Sequence, residues 1–255
     1  MNLSLYQEKV FTQYKSNSQI VRVLSENWFS SEMYCPRCLN SKILPFANNN
    51  PVADFSCPSC METFQLKSQK TKIGKRILDG AYNKMINSIC QNKRPSFFLL
   101  HYNQDYYIQN LFVIPHFFFV ETLVEKRKPL SKTARRAGWI GCNLLLQNIP
   151  PEGKIKIIWE GNTLNPKSIR NEWGKIEFVK KIPLPERGWT IDVLNKIHLL
   201  NKKGFSLKDI YGFEDEFSKL HPGNQHIKDK IRQQLQILRD KRIIAFKSKG
   251  EYSLL

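Results

Sequence analysis

The chain has 255 residues, enough to bury one substantial core and a smaller satellite. Its 41% hydrophobic and 12% aromatic content exclude a disordered chain, and 40 Lys+Arg against 22 Asp+Glu, a net +18, point to a polyanionic partner, nucleic acid first. There is no apolar run of about 20 residues, and MNLSLYQEKV lacks the basic start and apolar stretch of a signal peptide, so no membrane is expected and the expected compartment is the cytoplasm.

In chain order, apolar spacing predicts short helices over 4–15 (Leu5, Val10, Phe11) and 18–28 (Ile20, Val21, Leu24). Tyr34 leads into a first Cys-x-x-Cys pair, Cys35 and Cys38. Asn48-Asn49-Asn50-Pro51 reads as a turn, and 52–56 as a short strand. A second pair, Cys57 and Cys60, reverses the chain, and 63–68 returns as a strand. Helical spacing covers 77–91 through Ile77, Ala81, Met85, Ile86 and Ile89. FFLLHY at 97–102 and YYIQNLFVI at 106–114 predict neighbouring buried strands, and HFFFV at 116–120 continues the apolar run. Residues 121–139 are basic without a long apolar period, and 155–159 is a further strand. This is an α/β pattern over 1–182. Pro183 to Gly188 is punctuated like a linker. Helices over 190–200, 207–220 and 226–241, with two short strands around Lys249-Gly250, make a winged-helix plan over 183–255.

Four of the six cysteines stand in the two pairs, with eighteen residues between the pairs, the spacing of a zinc ribbon over 35–60. Four thiolates satisfy Zn2+ and leave no position for water, so this zinc is structural. Cys90 and Cys142 stand alone and read as small buried hydrophobes.

Interleaved with the cysteines is Pro51-Val52-Ala53-Asp54, then ten residues, then Gln65-Leu66-Lys67, a variant of the PD-(D/E)XK nuclease motif. Phosphodiester hydrolysis needs charge neutralisation at phosphorus and a nucleophilic water, and Mg2+ supplies both when an acidic residue anchors it. Asp54 is that residue. Gln65 and Lys67, two apart on a strand, project to one face, the lysine placed to orient water or to stabilise charge on the phosphate. Lys67, Lys70, Lys72, Lys75 and Arg76 suit a phosphate backbone. Glu8, in the first helix, is a further carboxylate within reach of such a site, or simply a helix-face charge.

The segments YKSNSQ (14–19), NNNPVADF (48–55), DGAY (79–82), RKPLSKTARRAGWIGCN (127–143), RGWT (187–190) and HIKDKIRQQLQILRDK (226–241) closely resemble the DpnI family of methyl-directed restriction endonucleases, almost end to end. The resemblance implies a PD-(D/E)XK restriction-endonuclease-like domain with an inserted four-cysteine zinc site, followed by a winged-helix DNA-binding domain. It also implies Type II, Mg2+-dependent cleavage of double-stranded DNA at GATC sites carrying 6-methyladenine; with two readers in one chain no protein partner is required, and a monomer is one of the open oligomeric states. Asp54 and Lys67 take the family's catalytic positions. Gln65 stands where the family has a glutamate metal ligand, and an amide brings no negative charge.

In the major groove the adenine methyl adds apolar volume and leaves one donor hydrogen, so an apolar wall is needed beside polar contacts. On the residues alone Trp139 reads as a core side chain; the resemblance implies that this segment forms the pocket, with Trp139 as its wall and Arg135 and Arg136 to bind phosphate or guanine. The last helix presents His226, Lys228, Lys230, Arg232 and Gln233 near its start, where recognition helices reach base edges. Ile227, Ile231, Leu235 and Leu238 are its buried stripe. Lys247 and Lys249 fall in the wing as phosphate contacts. Two rivals stand beside the nuclease. One is a methylated-DNA-binding protein whose cleavage is weakened or lost through Gln65. The other is a zinc-ribbon and winged-helix transcriptional regulator.

Overall fold

The computed structural model describes residues 1–47 and 53–255, so the turn expected over 48–51 and the first residue of the strand expected over 52–56 lie outside the described residues. The helices are α1 (Glu8–Gln13), α2 (Asn17–Glu32), α3 (Tyr82–Cys90), α4 (Pro166–Ile176), α5 (Leu184–Leu199), α6 (Leu207–Tyr211), α7 (Glu214–Leu220) and α8 (Ile227–Asp240). The strands are β1 (Leu44–Pro45), β2 (Phe55–Ser56), β3 (Thr63–Gln69), β4 (Ile77–Ala81), β5 (Ser96–Tyr102), β6 (Ile108–Ile114), β7 (Val124–Lys126), β8 (Gly141–Leu144), β9 (Ile155–Trp159), β10 (Asn162–Thr163), β11 (Gly204–Ser206), β12 (Ile244–Ser248) and β13 (Glu251–Leu254). They fall into two compact units: Met1–Gly74 with Asn92–Phe117 and Glu152–Ile176, and Lys75–Gln91 with Phe118–Pro151 and Glu177–Leu255.

The first unit is built on a sheet of order β1-β2-β3-β5-β6-β9-β10. Its pairs are antiparallel except β3 with β5, which run parallel from Phe64↔Ser96 to Gln69↔His101. Phe97, Phe98, Leu99 and Leu100 are all fully buried, which is why β5 reads as an unbroken apolar run: both of its faces are covered. Helix α2 buries Ile20, Leu24, Trp28 and Phe29, and the Phe29 ring lies 4.5 Å from Phe55 and 4.6 Å from Phe98. That contact sets α2 across β2, β3 and β5. The first expected helix is shorter than 4–15, because Ser4 bridges to Tyr107 and Leu5 N donates to Tyr106 O at 2.8 Å.

In the second unit a sheet of order β4-β8-β7 carries α3. The helix expected over 77–91 starts only at Tyr82; the five residues before it are β4, paired with β8 through Ile77↔Leu144 and Asp79↔Cys142. Ile77 and Ala81, four apart, fit either period, and pairing with the fully buried β8 decides for a strand. Cys142 is buried as expected. Cys90 is not: it is exposed, and its thiol donates to Glu121 Oε1 at 3.1 Å.

The remainder of this unit is the helix-rich C-terminal region, α5 to α8 with a sheet of order β11-β13-β12. Trp189, Val193, Ile197, Phe217, Ile231, Leu235 and Leu238 form its core. The stretch that punctuates like a linker is helical: Pro183 caps α5, and 184–188 form its first turns, where proline's missing N–H costs nothing. The single helix expected over 207–220 is split. A reciprocal Ser206/Asp209 capping box starts α6, the chain turns at Gly212, and three acidic residues open α7, where they favour the helix dipole. The α8 stripe of Ile227, Ile231, Leu235 and Leu238 is buried as expected. Among the described residues no helix is long and apolar enough to cross a membrane.

Candidate active site and nucleic-acid interface

The cysteine pairs converge. The Sγ atoms of Cys35, Cys38, Cys57 and Cys60 all lie within 4.8 Å of one another, with Cys35 to Cys60 at 3.6 Å and Cys38 to Cys57 at 3.5 Å. That donor set and spacing fit one tetrahedral zinc ion. Burial pushes the Cys35 thiol up and Cys60 to about 11, whereas at Cys57 burial is outweighed by backbone amides of Cys60 and Ser59, which lower it. The knuckles are tied to the rest of the unit by polar bonds. Arg170 on α4 donates to Cys38 O at 2.6 Å, and Arg37 donates to Cys60 O at 3.3 Å. Arg37 also lies 3.6 Å from the buried Glu62, which accepts from Ser96 Oγ at the start of β5 and sits 2.7 Å from His116 Nδ1. Glu62 thus clamps the second knuckle to the sheet.

Within that clamp Asp54 falls one residue beyond the Phe55↔Phe64 pair. Its N–H donates to Phe64 O at 2.9 Å, and its Oδ2 accepts from Leu66 N at 2.8 Å, so both ends of the residue are fixed to β3. Burial raises the Asp54 carboxyl, while the Leu66 amide and the charges of Lys67 and Arg22 act in the opposite direction. Phe64, Leu66 and Ser68 face α2, as the Phe64–Phe98 ring contact and a 2.8 Å bond from Ser68 Oγ to Ser25 Oγ establish. By strand alternation Gln65 and Lys67 take the other face. There the Lys67 ammonium lies 5.3 Å from the Phe97 ring. The three residues predicted from the motif are therefore assembled on one stretch of hairpin. A carboxylate and an amide carbonyl are hard oxygen donors, and this donor set fits Mg2+ with one formal negative charge.

Two further charged residues belong to the surroundings of Asp54, and sequence reasoning missed both. Burial raises the Glu26 carboxyl, Arg22 lowers it and the charge of Asp54 raises it again. Arg22 and Glu26 form an i,i+4 pair at 3.6 Å on α2. Their spacing is visible in the sequence, but only the tertiary packing sets them along a cavity shared with Leu66. Glu8 is exposed on α1.

In the second unit Arg135, Arg136 and Trp139 sit together on one loop. Strands β7 and β8 extend past their ends through Arg127 N to Gly141 O at 3.0 Å and Leu130 N to Trp139 O at 2.9 Å, closing a basic tip. Gly138, at φ +76, makes the turn back into Trp139. The Trp139 ring is half-buried, with the Arg136 guanidinium 4.6 Å from its centroid. It lies so close over Gly141 that a Cβ there would meet Cζ3 at 2.7 Å and Cη2 at 2.8 Å. Arg135 and Arg136 are exposed.

On α8 each predicted cation has an acidic neighbour: Lys228 with Glu214 at 3.1 Å and Arg232 with Asp229 at 3.1 Å at the surface, and the half-buried Lys230 with Glu186 at 3.3 Å. Arg232 Nε also donates to Tyr211 OH at 2.6 Å. The two exposed pairs, of Lys228 and of Arg232, are worth little and exchange readily for phosphate. His226 and Gln233 are exposed, and so is Gln236, one turn on, an amide that sequence reasoning passed over. The turn before α8 is held by His221, whose ring stacks on Trp189 at 3.9 Å and whose Nε2 lies 2.9 Å from the buried Asp192.

Comparison with known families adds two matches. A model described as DpnI, the Dam-replacing family, matches residues 1–182, and one described as the Dam-replacing HTH domain matches residues 185–253. The first spans the cysteine cluster, the Asp54 hairpin and the Trp139 loop; the second spans α8 and its wing. The chain belongs to the Dam-replacing, or DpnI, family.

Proposed function

We propose that the chain is a methyl-directed Type II restriction endonuclease that hydrolyses both strands of duplex DNA at GATC sites carrying 6-methyladenine. The observation that carries this reading is Asp54 fixed to the Leu66 amide between Gln65 and Lys67, in a chain of this family. A catalytic domain over 1–182 and a winged-helix reader over 183–255 divide the work, in a monomer acting in the cytoplasm.

Asp54 and the Gln65 carbonyl would hold Mg2+, which when bound supplies charge neutralisation at the scissile phosphate and lowers the pKa of its water. Lys67 orients the attacking water and stabilises charge on the phosphate oxygens. The water oxygen bonds to phosphorus as the bond to the 3′ oxygen breaks, leaving 5′-phosphate and 3′-hydroxyl ends. Arg135, Arg136, Lys228, Lys230 and Arg232 hold the backbone, while His226 and Gln233 face base edges. Trp139 offers the methyl its apolar wall. Burying one methyl contributes about 0.8 kcal/mol, a factor of about four, so two readers multiply a discrimination that neither achieves alone.

Incubation of methylated and unmethylated GATC duplexes with the protein and Mg2+ tests the reading. Cleavage confined to the methylated duplex is expected; cutting of both at comparable rates overturns the specificity. Gly141→Ala is expected to force the Trp139 ring aside and to cut the methylated-to-unmethylated ratio by about fourfold, leaving non-specific DNA affinity unchanged. A ratio equal to that of the parent protein would remove Trp139 from methyl reading. One observation favours a second reading, a methyl-dependent binder without cleavage: Gln65 carries no charge. Methyl-dependent binding without cutting in either Mg2+ or Mn2+ selects it.

A further inference from the structure

Asp192 on α5 is 4% exposed, and its two oxygens serve different elements. Thr122 Oγ1 donates to Oδ1 at 3.2 Å, and His221 Nε2 lies 2.9 Å from Oδ2, its ring fixed by the stack on Trp189. Thr122 stands in the turn Glu121–Leu123 that feeds β7. There Leu145 N donates to Leu123 O at 2.9 Å, and the β7–β8 ladder runs on to the Trp139 loop. His221 stands in the turn that feeds α8. Its carbonyl accepts from Asn224 N at 3.0 Å, and Asn224 Oδ1 accepts from His226 N at 2.7 Å, one residue before the helix begins. All of these residues lie within the second compact unit.

The same junction holds a cavity of about 380 Å3, lined by Val120, Glu121 and Thr122 from the first segment and by Gly188, Trp189 and His221 from α5 and the second turn. Close packing fixes neighbouring elements through many weak contacts, and a cavity forfeits them. Directional hydrogen bonds to a buried carboxylate are the stronger constraint here, because an orphaned carboxylate oxygen is costly. We infer that Thr122, Asp192 and His221 are positioning residues: their relay holds the Trp139 loop and the start of α8 at one spacing, so that both engage the same methylated site. This rests on the two-reader reading of the proposed function. Two contacts held at a fixed spacing bind as one, since the second engages at an effective concentration set by the link, and a loosened link lowers it. A single methyl contributes little to either reader, so selectivity depends on both acting at once.

The test compares the parent with Thr122→Val, Thr122→Ser and His221→Phe, each full-length and zinc-loaded. Unlabelled protein is assayed for binding of methylated and unmethylated GATC duplexes in Ca2+ and for single-turnover cleavage in Mg2+. Spin labels at Lys126→Cys on β7 and Arg239→Cys on α8, in a Cys90→Ser background, report the spacing by pulsed electron paramagnetic resonance. Thr122→Val is expected to broaden the distance distribution and to lower the affinity for methylated duplex about tenfold. Its affinity for unmethylated duplex and its cleavage rate at saturation should stay unchanged, since no group at the reacting phosphate is altered. Thr122→Ser keeps the hydroxyl and should restore both readouts. His221→Phe keeps the ring on Trp189 without the nitrogen and should reproduce Thr122→Val from the α8 side, which covers poor folding of the first variant. Distances and methylated-duplex affinity unchanged in both variants overturn the inference and leave the two-reader reading standing. Broadening without loss of affinity, or a loss shared equally by the two duplexes, overturns it too. A parent that binds both duplexes alike overturns the two-reader reading, and the inference with it.

Discussion

Asp54→Asn is expected to lower the rate of cleavage of methylated GATC duplex by ~10³-fold, with its affinity for that duplex in Ca2+ within about threefold of the parent's. The rate figure corresponds to about 4 kcal/mol of transition-state stabilisation, the order expected when a divalent cation loses its anchoring carboxylate. Asparagine is the informative replacement because its carbonyl still accepts from Leu66 N, a bond of 2.8 Å in the parent. Alanine would leave that amide without its partner at a cost of about 1–3 kcal/mol, mixing loss of stability with loss of chemistry. On the proposed mechanism Lys67→Ala should give a comparable loss of rate, its ammonium acting on the same phosphate. Single-turnover cleavage and an equilibrium binding assay separate the two quantities. Cleavage by Asp54→Asn within tenfold of the parent would move the chemistry away from this hairpin.

The second large effect concerns zinc. Stripping it with a chelator, or replacing Cys57 by Ser, is expected to unfold the region from 35 to 62 and with it the Asp54 hairpin. Binding of a structural zinc contributes on the order of 10 kcal/mol or more, comparable with the whole stability of an ordinary domain. Strand β2 is only two residues long and is too short to persist on its ladder alone. It is held between the second knuckle and the Glu62 cluster with Ser96 and His116. Hydrogen exchange should therefore show lost protection at Phe55, Cys57 and Leu66 before any change in β12 or β13. Cleavage should be restored on readdition of Zn2+ together with Mg2+, but not with Mg2+ alone. Full protection of Leu66 N–H in zinc-free protein would contradict this account.

How much could be read in advance follows from the range of each interaction. The second Cys-x-x-Cys pair, the turn between β2 and β3 and the apposition of Asp54 to Gln65 lie within one hairpin, where short chain connections force residues together, and the first pair is legible by residue type and spacing alone. The α8 stripe was equally legible, because its apolar spacing matches one face of a helix and no competing period is present. Where the pattern suited two answers, a distant partner decided. Residues 77–81 became β4 because β8, sixty residues on, was there to pair with. Pro183 to Gly188 looked like a linker but opens α5, whose residues from Trp189 onward are buried in the C-terminal core. Cys90 looked like a core residue and lies on the surface, since the buried side of α3 is carried by Met85 and Ile89.

The sequence by itself determined the zinc ligands, the Asp54, Gln65 and Lys67 hairpin, the basic character of the surface and the family resemblance. All of these depend on residue type and on spacings that the covalent chain enforces. Only the tertiary structure decided that Arg22 and Glu26 line a cavity with Leu66, that Gly141 seats the Trp139 ring, and that the cations of α8 each meet a carboxylate. Those relations come from burying apolar surface between elements far apart in the chain. Phe29 against Phe55 and Phe98 brings α2 onto the sheet, and no local spacing encodes which polar residues that packing carries with it.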